Sequence, residues 1–124
     1  MQGVARLKFT TSLKKNHEFR RLYNKGKSAA TQYVVVYSKR NGRACNRIGI
    51  TVGAKIGGAV QRNRVRRRLK EIYRLNESKL YSGNDIVIVA RTKSRYTGYR
   101  ELENSVVTLF RKLKLLGTAE ARIT

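Results

Sequence analysis

The chain has few of the residues that build disulfides, metal centres or catalytic sites. Its 124 residues include one cysteine, Cys45, one histidine, His17, and neither proline nor tryptophan. A single cysteine excludes an intramolecular disulfide and is compatible with a reducing cytosol, so we expect a cytoplasmic location. Cys45 has no second cysteine and no nearby histidine with which to bind zinc.

Acidic residues are equally scarce, with seven Asp and Glu against 29 Lys and Arg. Hydrolysis by a protein needs a base, a nucleophile or metal ligands held close together. Only Glu101 and Glu103 are close in sequence, and helical spacing directs them to different sides. The glycine-rich segment 53–58, GAKIGG, lacks the GK[ST] ending of a phosphate-binding Walker loop. We therefore expect no catalytic residues and no metal site in the protein itself.

The sequence also lacks an apolar run of about 18 residues and the apolar core of a signal peptide, so we expect no membrane association. The formal net charge is +22. Such an excess destabilises a compact domain unless a polyanion is near. Because the charge is spread through periodic segments and is not confined to a tail, it predicts a folded surface that binds nucleic acid.

The segment 59–74 is the centre of this prediction. Val65, Leu69 and Ile72 recur with the period of one helix face. The other positions are mostly basic: Arg62, Arg64, Arg66, Arg67, Arg68, Lys70 and Arg74. A helix N-terminus favours anions, so each cation near it costs a few tenths to about 1 kcal/mol unless an external anion docks there. We interpret the segment as a phosphate-binding helix; the alternative is an ordinary solvated face.

The remaining pattern predicts a single domain over residues 13–116, between a flexible basic lead-in, 1–12, and a tail, 117–124. A helix is expected from Asn16 to about Lys25 and another from about Tyr99 to Leu116. Strands are expected at 31–38, 47–52 and 85–90. The last strand, DIVIVA, is almost continuously apolar, which is typical of a strand that is buried on both faces in parallel pairing. Segment 47–52, the basic helix and segment 85–90 therefore form a βαβ unit.

Three aromatic residues have two possible roles. Phe19 and Tyr23 share one face of the first helix, and Tyr37 lies in the first predicted strand. They are either ordinary core residues or rings of a groove in which bases stack. Gly49 and Thr51 leave a low surface on the next strand, which favours the close approach of a ligand.

Several segments together resemble the bacterial ribonuclease P protein subunit. The most specific is Lys55-Ile56-Gly57-Gly58-Ala59-Val60, followed by Arg62-Asn63-Arg64-Val65 and Arg67. The flanking segments LKKNHEFRRLYNKG (13–26), YVVVY (33–37) and DIVIVAR (85–91) are also similar, so the resemblance covers about residues 10–116. Ala54 departs from the pattern, since members of the family often carry a second basic residue there.

This resemblance implies an α+β fold: a single-domain α-β-β-β-α-β-α sandwich with a mixed four-stranded sheet and a left-handed βαβ crossover. It implies binding to a large catalytic RNA, one protein per RNA. With Mg²⁺, that RNA removes the 5′ leader of precursor tRNA. The alternatives are a ribosomal or other structural RNA-binding protein without a cleavage role, and a freestanding nuclease.

The resemblance also implies two sets of site residues. The first would bind the catalytic RNA: Arg62, Asn63, Arg64, Arg67 and Arg68. The second would form a cleft for the leader and its rim: Phe19, Tyr23, Tyr37, Thr51, Lys55, Arg66 and Lys70.

Overall fold

The computed structural model describes residues 10–117 of the chain. In chain order, the strands and helices are β1 (Thr10–Ser12), α1 (Asn16–Lys25), β2 (Lys27–Ala30), β3 (Val34–Arg40), β4 (Asn46–Thr51), α2 (Ala59–Asn76), β5 (Asn84–Ala90) and α3 (Tyr99–Lys112). Short 3-10 turns occupy Ala54–Ile56, Glu77–Lys79 and Thr92–Tyr96. The predicted α+β class and the order of elements from α1 to α3 are confirmed. No helix within residues 10–117 is long and apolar enough to cross a membrane.

The strands form one mixed sheet in the order β1-β4-β5-β3-β2. β4 pairs in parallel with both β1 and β5, whereas β3 pairs antiparallel with β5 and β2. The β4–α2–β5 unit with parallel strands is therefore confirmed. The left hand of its crossover stays a prediction.

The prediction of four strands was wrong, because β1 adds a fifth at the edge beside β4. β1 falls inside the segment that was predicted to be a flexible lead-in. A three-residue strand is too short to show an alternating pattern, so the sequence could not reveal it. Residues 1–9 and 118–124, the rest of the predicted lead-in and most of the tail, lie outside the described residues. α3 ends at Lys112, before the predicted boundary, and Lys114 follows in a left-handed conformation, φ 59.

Two cores lie on opposite faces of the sheet. The larger one buries β3, β4 and β5 side chains against α2 and α3, with Leu69 and Phe110 fully buried. The smaller one packs Leu22 of α1 against Val87 of β5. β5 therefore has apolar neighbours on both faces, which explains why its sequence is apolar without alternation. The arrangement leaves one side of α2 and one side of α1 facing outward.

Candidate nucleic-acid interface

α2 presents a basic surface because its buried residues are confined to one side. The helix follows a tight turn in which Gly57 has φ 148, a conformation that favours glycine. From its start at Ala59, the helix buries Val65, Leu69, Ile72 and Tyr73. No acidic residue lies in its first turn, which contains Arg62. The other arginines and the lysine are held on a rigid element with their charges toward solvent.

These charges are largely uncompensated within the described part of the chain. Arg74 pairs with Glu71 at 2.6 Å, and this is the one ion pair that α2 forms among residues 10–117. Arg66 donates to the Asn63 side-chain oxygen at 2.9 Å, and Arg68 donates to the Thr97 carbonyl at 3.0 Å. Neither acceptor carries a charge. Six of the seven cations on α2 thus have no carboxylate partner among the described residues, and their charge can act on external phosphates.

The predicted RNA-binding residues do not form a single patch, because they follow the helix around its exposed side. Arg66 lines a cleft beside β4, whereas Arg68 reaches Thr97 before α3. Residues four apart share a helix side, so Arg62 lies on the flank of Arg66, and Arg64 lies on that of Arg68. Asn63 and Arg67 are exposed, and together with Lys70 they line a separate shallow groove on the outer side of α2. An RNA that contacts all of them must wrap around the helix.

Four of the predicted leader-binding residues come together between α1 and the sheet. The ring centroids of Phe19 and Tyr23 are 6.5 Å apart, and those of Tyr23 and Tyr37 are 4.9 Å apart. The Tyr23 hydroxyl lies 3.4 Å from that of Thr51. Tyr23 is 39% exposed, and Phe19 and Tyr37 are half-buried. We call Phe19, Tyr23, Tyr37 and Thr51 the aromatic row; Phe19 and Tyr37 pack against the smaller core and are only partly buried, so the leader-binding role of the row stays a prediction.

A cleft of 410 Å³ opens on the other side of Phe19. Gly49 forms part of its floor, and the Phe19 ring lies so close that a Cβ on Gly49 would come within 2.6 Å of it. Arg66 and Lys70 of α2 line the opposite wall. The Phe19 ring thus occupies the space that the missing side chain of Gly49 leaves open. The cleft connects the aromatic row to the cations of α2.

The back of this cleft is closed by a hydroxyl pair. Tyr73 is buried, and its hydroxyl lies 2.9 Å from that of Thr10 on β1. Burial raises the pKa of Tyr73 to about 12, so the ring is neutral at physiological pH. Tyr73 therefore adds a neutral polar group beneath the two cations.

Lys55 lies apart from the cleft, exposed in the 3-10 turn after β4. That turn packs against a second 3-10 turn, Thr92–Tyr96, in which Arg95 donates to the Ile56 carbonyl at 3.3 Å. The Arg95 guanidinium lies 5.2 Å from the Tyr96 ring centroid, and Tyr96 is 77% exposed. The site predictions missed these two residues, although a basic turn containing a tyrosine was visible in the sequence. They extend the Arg68 flank of α2 with an exposed ring.

The position of α1, and with it the aromatic row, depends on Arg47 of β4. Arg47 donates two hydrogen bonds to Asp85 of β5, at 2.8 and 2.7 Å, and forms an ion pair with Glu18 of α1. Asn41 also donates to Asp85 at 2.9 Å. We call Glu18, Arg47 and Asp85 the Arg47 clamp. It fixes the first turns of α1 to the middle of the sheet.

The Arg47 clamp shifts the acidity of all three of its members. Burial acts to raise the pKa of Asp85, but hydrogen bonds from Arg47 and Asn41 outweigh it, and the pKa is lowered. The pKa of Glu18 is lowered in the same way, with burial opposed by the Arg47 hydrogen bond. The hydrogen bond to Asp85 raises the pKa of Arg47 further above its usual range. Both carboxylates are therefore ionised at neutral pH and committed to one guanidinium.

Within residues 10–117, no three His, Cys, Asp or Glu side chains lie close enough to hold a metal ion. Three of the described carboxylates, those of Glu18, Glu71 and Asp85, are paired with arginine. The described site is thus composed of cations and rings, groups that bind nucleic acid rather than metal ions.

A basic helix, an aromatic row and a connecting cleft on a mixed sheet define a small α+β nucleic-acid-binding domain. The family model described as Ribonuclease P matches residues 7–114. The chain therefore belongs to the ribonuclease P protein family, as its motifs indicated.

Curated relatives agree with this assignment. The ribonuclease P protein component of Alkaliphilus metalliredigens is 45% identical over 104 residues, which cover 84% of this chain and 94% of the relative. That of Clostridium acetobutylicum is 45% identical over 114 residues, covering 90% and 96%. These relatives lend no support to a ribosomal or purely structural RNA-binding role.

Solved structures show the same fold. The RNase P protein of Staphylococcus aureus superposes with a TM-score of 0.79 at 32% identity, covering 86% of this chain and 97% of that one. The Thermotoga maritima RNase P protein gives a TM-score of 0.74 at 30% identity, covering 81% and 96%.

Proposed function

We propose that this chain is the protein subunit of ribonuclease P and assists the removal of the 5′ leader from precursor tRNA. α2 binds the catalytic RNA, and the aromatic row with its neighbouring cleft binds the single-stranded leader. The cut is made by the RNA with Mg²⁺. One protein binds each RNA, and the complex works in the cytoplasm.

The observation that carries this proposal is the juxtaposition of unpaired cations and accessible rings. Phosphate binding requires cations that are not neutralised by the protein itself, as on α2. Single-stranded RNA also offers base faces, and stacking on an aromatic ring contributes about 1–3 kcal/mol per base. Phe19 belongs both to the aromatic row and to the cleft that Arg66 and Lys70 line. A leader could therefore stack on the row while its phosphates meet α2.

The assignment of the chemistry to RNA rests on the residues that the site contains. A protein nuclease needs a general base or a metal held by carboxylates near the scissile phosphate. The clamp binds Glu18 and Asp85 to Arg47, and Glu71 binds Arg74. We therefore assign the binding of Mg²⁺ to the RNA. The protein contributes affinity, orientation and screening of the repulsion between phosphates.

Reconstitution tests the proposal directly. Ribonuclease P RNA should cleave precursor tRNA faster with the protein than alone when Mg²⁺ is too dilute for the RNA to act well by itself. Because the protein supplies cations, its benefit should shrink as Mg²⁺ is raised. Absence of any gain at low Mg²⁺ would overturn the proposal. Cleavage by the purified protein without RNA would instead indicate a freestanding nuclease.

A further inference from the structure

α2 carries only seven of the chain's 29 basic residues, so its surface accounts for a minority of the positive charge. A second concentration lies where β2 begins, β3 ends and β5 begins, in a pocket of 320 Å³. Five cations from α1, β2, β3 and the segment after α3 line it, and no acidic residue does: Lys25, Lys27, Lys39, Arg40 and Lys114. We call these five the distal basic pocket. None of them forms an ion pair within residues 10–117.

The distal basic pocket is separate from the interface described above. The cleft beside α2 is lined by residues of β1 and β4, whereas the strand cations of the pocket come from β2 and β3, on the other side of β5. Lys25 follows Tyr23 by two positions on α1, so the two side chains lie on opposite sides of that helix. Ser38 and Arg40 alternate with Tyr37 along β3, so these two pocket residues lie on the sheet face opposite the aromatic row, whereas Lys39 shares the face of Tyr37.

Helix ends explain part of this charge. Cations stabilise a helix C-terminus, and Lys25 ends α1 while Lys114 follows α3. Lys27, Lys39 and Arg40 lie in strands, where no helix dipole attracts them. None of the three forms an ion pair within residues 10–117, although Lys39 lies opposite Asp85 in the sheet, so all three can meet an external anion.

An exposed ring in the same pocket indicates which anion. Tyr81 is 43% exposed, and its backbone N–H donates to the Leu115 carbonyl at 2.9 Å, which fixes it beside the cations. Free phosphate or an acidic peptide would need no flat apolar surface, whereas an unpaired nucleotide supplies both a phosphate and a base. A duplex would keep its base faces stacked away from the ring.

We propose that the distal basic pocket is a second RNA-binding site, which holds a single-stranded segment with its phosphates on Lys27, Lys39 and Arg40 and a base on Tyr81. The segment belongs either to the catalytic RNA or to the precursor tRNA. The site rests on its own residues and goes beyond the proposed function, which needs only α2 and the aromatic row.

Cross-linking distinguishes the two sources. A photoreactive phenylalanine analogue replaces Tyr81 in one protein and the exposed α3 residue Arg100 in a control. Each is assembled with ribonuclease P RNA and precursor tRNA, of which one is labelled at a time. We expect position 81 to cross-link an unpaired segment of one RNA well above the level at position 100. Equal or absent cross-linking at the two positions would overturn the proposal.

A matched pair of variants measures the charge contribution. Lys27→Gln/Arg40→Gln removes two exposed pocket cations, and Arg100→Gln/Lys112→Gln removes two exposed α3 cations outside the pocket. If each pocket cation neutralises one phosphate of a single strand, the first variant should lower the slope of log affinity against log salt by about 1.4. We expect about a tenfold loss of affinity for the labelled RNA that cross-links. An equal loss of affinity in both variants would show that the effect depends only on total charge, and it would overturn the proposed site.

The ring is tested by Tyr81→Leu, which retains apolar bulk but removes the stacking surface. We expect a loss of about fivefold, at the lower end for a stacked base because the ring is partly buried. Thermal unfolding of each variant shows whether the fold is retained. A variant in α2 tests the proposed function separately. If it loses RNA affinity while Tyr81→Leu has no effect, the distal site is rejected and the proposed function stands.

Discussion

Arginine has opposite environments in the Arg47 clamp and on α2. Arg47 is 15% exposed and is held by two carboxylates, whereas six of the seven cations on α2 have no carboxylate partner within residues 10–117. α3, packed on the same sheet face as α2, carries Glu101 in its first turn and Arg111 and Lys112 in its last, as the helix dipole favours. Glu18 and Asp85 thus join α1 and β5 to β4 through Arg47, and α2 is left with charge for an external partner.

This comparison predicts that truncating arginine has separable effects in the two regions. Arg47→Ala would leave Asp85, 8% exposed, and Glu18 without their shared cation. Breaking a largely buried ion pair in this way should lower the free energy of unfolding by about 3 kcal/mol. Urea unfolding at neutral pH measures it. The same substitution at exposed Arg64 is the control and should cost less than about 0.5 kcal/mol; equal losses at the two positions would contradict the comparison.

The second prediction concerns RNA affinity instead of stability. Arg64→Ala should weaken binding of ribonuclease P RNA about tenfold by removing a phosphate contact. The wild-type affinity should itself fall steeply with salt, by about 10³–10⁵-fold between low and physiological salt if six to ten phosphates are contacted. Filter binding across a salt series measures both effects. Arg111→Ala on α3 removes the same charge elsewhere; a loss as large there, or a flat salt response, would show that α2 is not a specific phosphate-binding surface.

The sequence predicted those features that depend on local periodicity. Val65, Leu69 and Ile72 marked the buried side of α2, and the apolar run of β5 marked a strand covered on both faces. The basic residues on the remainder of α2 followed from the same period. These predictions succeeded because helix and strand periods determine which side chains share a face.

Features that depend on pairing between distant segments were not predictable. Glu18, Arg47 and Asp85 are far apart in sequence and meet because β4 and β5 pair in the register that places Arg47 opposite Asp85. β1 and β2 are edge strands of three and four residues, too short for a pattern. Tyr33, inside the predicted strand 31–38, instead precedes β3 and packs against the larger core. Register and strand ends are tertiary properties, and one sequence does not contain them.

The third prediction tests the aromatic row without changing any charge. Gly49→Ala would place a Cβ 2.6 Å from the Phe19 ring, so the ring must swing away from the cleft. Binding of precursor tRNA should weaken about fivefold through lost stacking, with binding of the catalytic RNA alone unchanged. Gly53→Ala is the control, because an added Cβ there meets nothing within 4 Å. If a precursor without its leader loses as much affinity as one with it, the row does not bind the leader.

The smallest expected effect is the pH dependence of the Arg47 clamp. The pKa values of Glu18 and Asp85 are lowered from ordinary values of 4.5 and 3.8, so the folded protein holds fewer protons on them than the unfolded chain. Their contribution to stability is present above about pH 4.5 and is lost as the pH falls through the lowered values. In Arg47→Ala, Asp85 is buried without its cation, which should raise its pKa. Acidification then protonates this carboxylate and reduces the destabilisation of the variant.

The stability difference between wild type and Arg47→Ala should therefore narrow on acidification, by about 1 kcal/mol between neutral pH and about pH 3. Urea unfolding across this range measures it. Arg64→Ala, which leaves the clamp intact, should give a curve parallel to the wild type. If the difference between wild type and Arg47→Ala stays constant or widens in acid, the two carboxylates do not derive their ionisation from Arg47, and the contrast between the clamp and α2 loses its electrostatic basis.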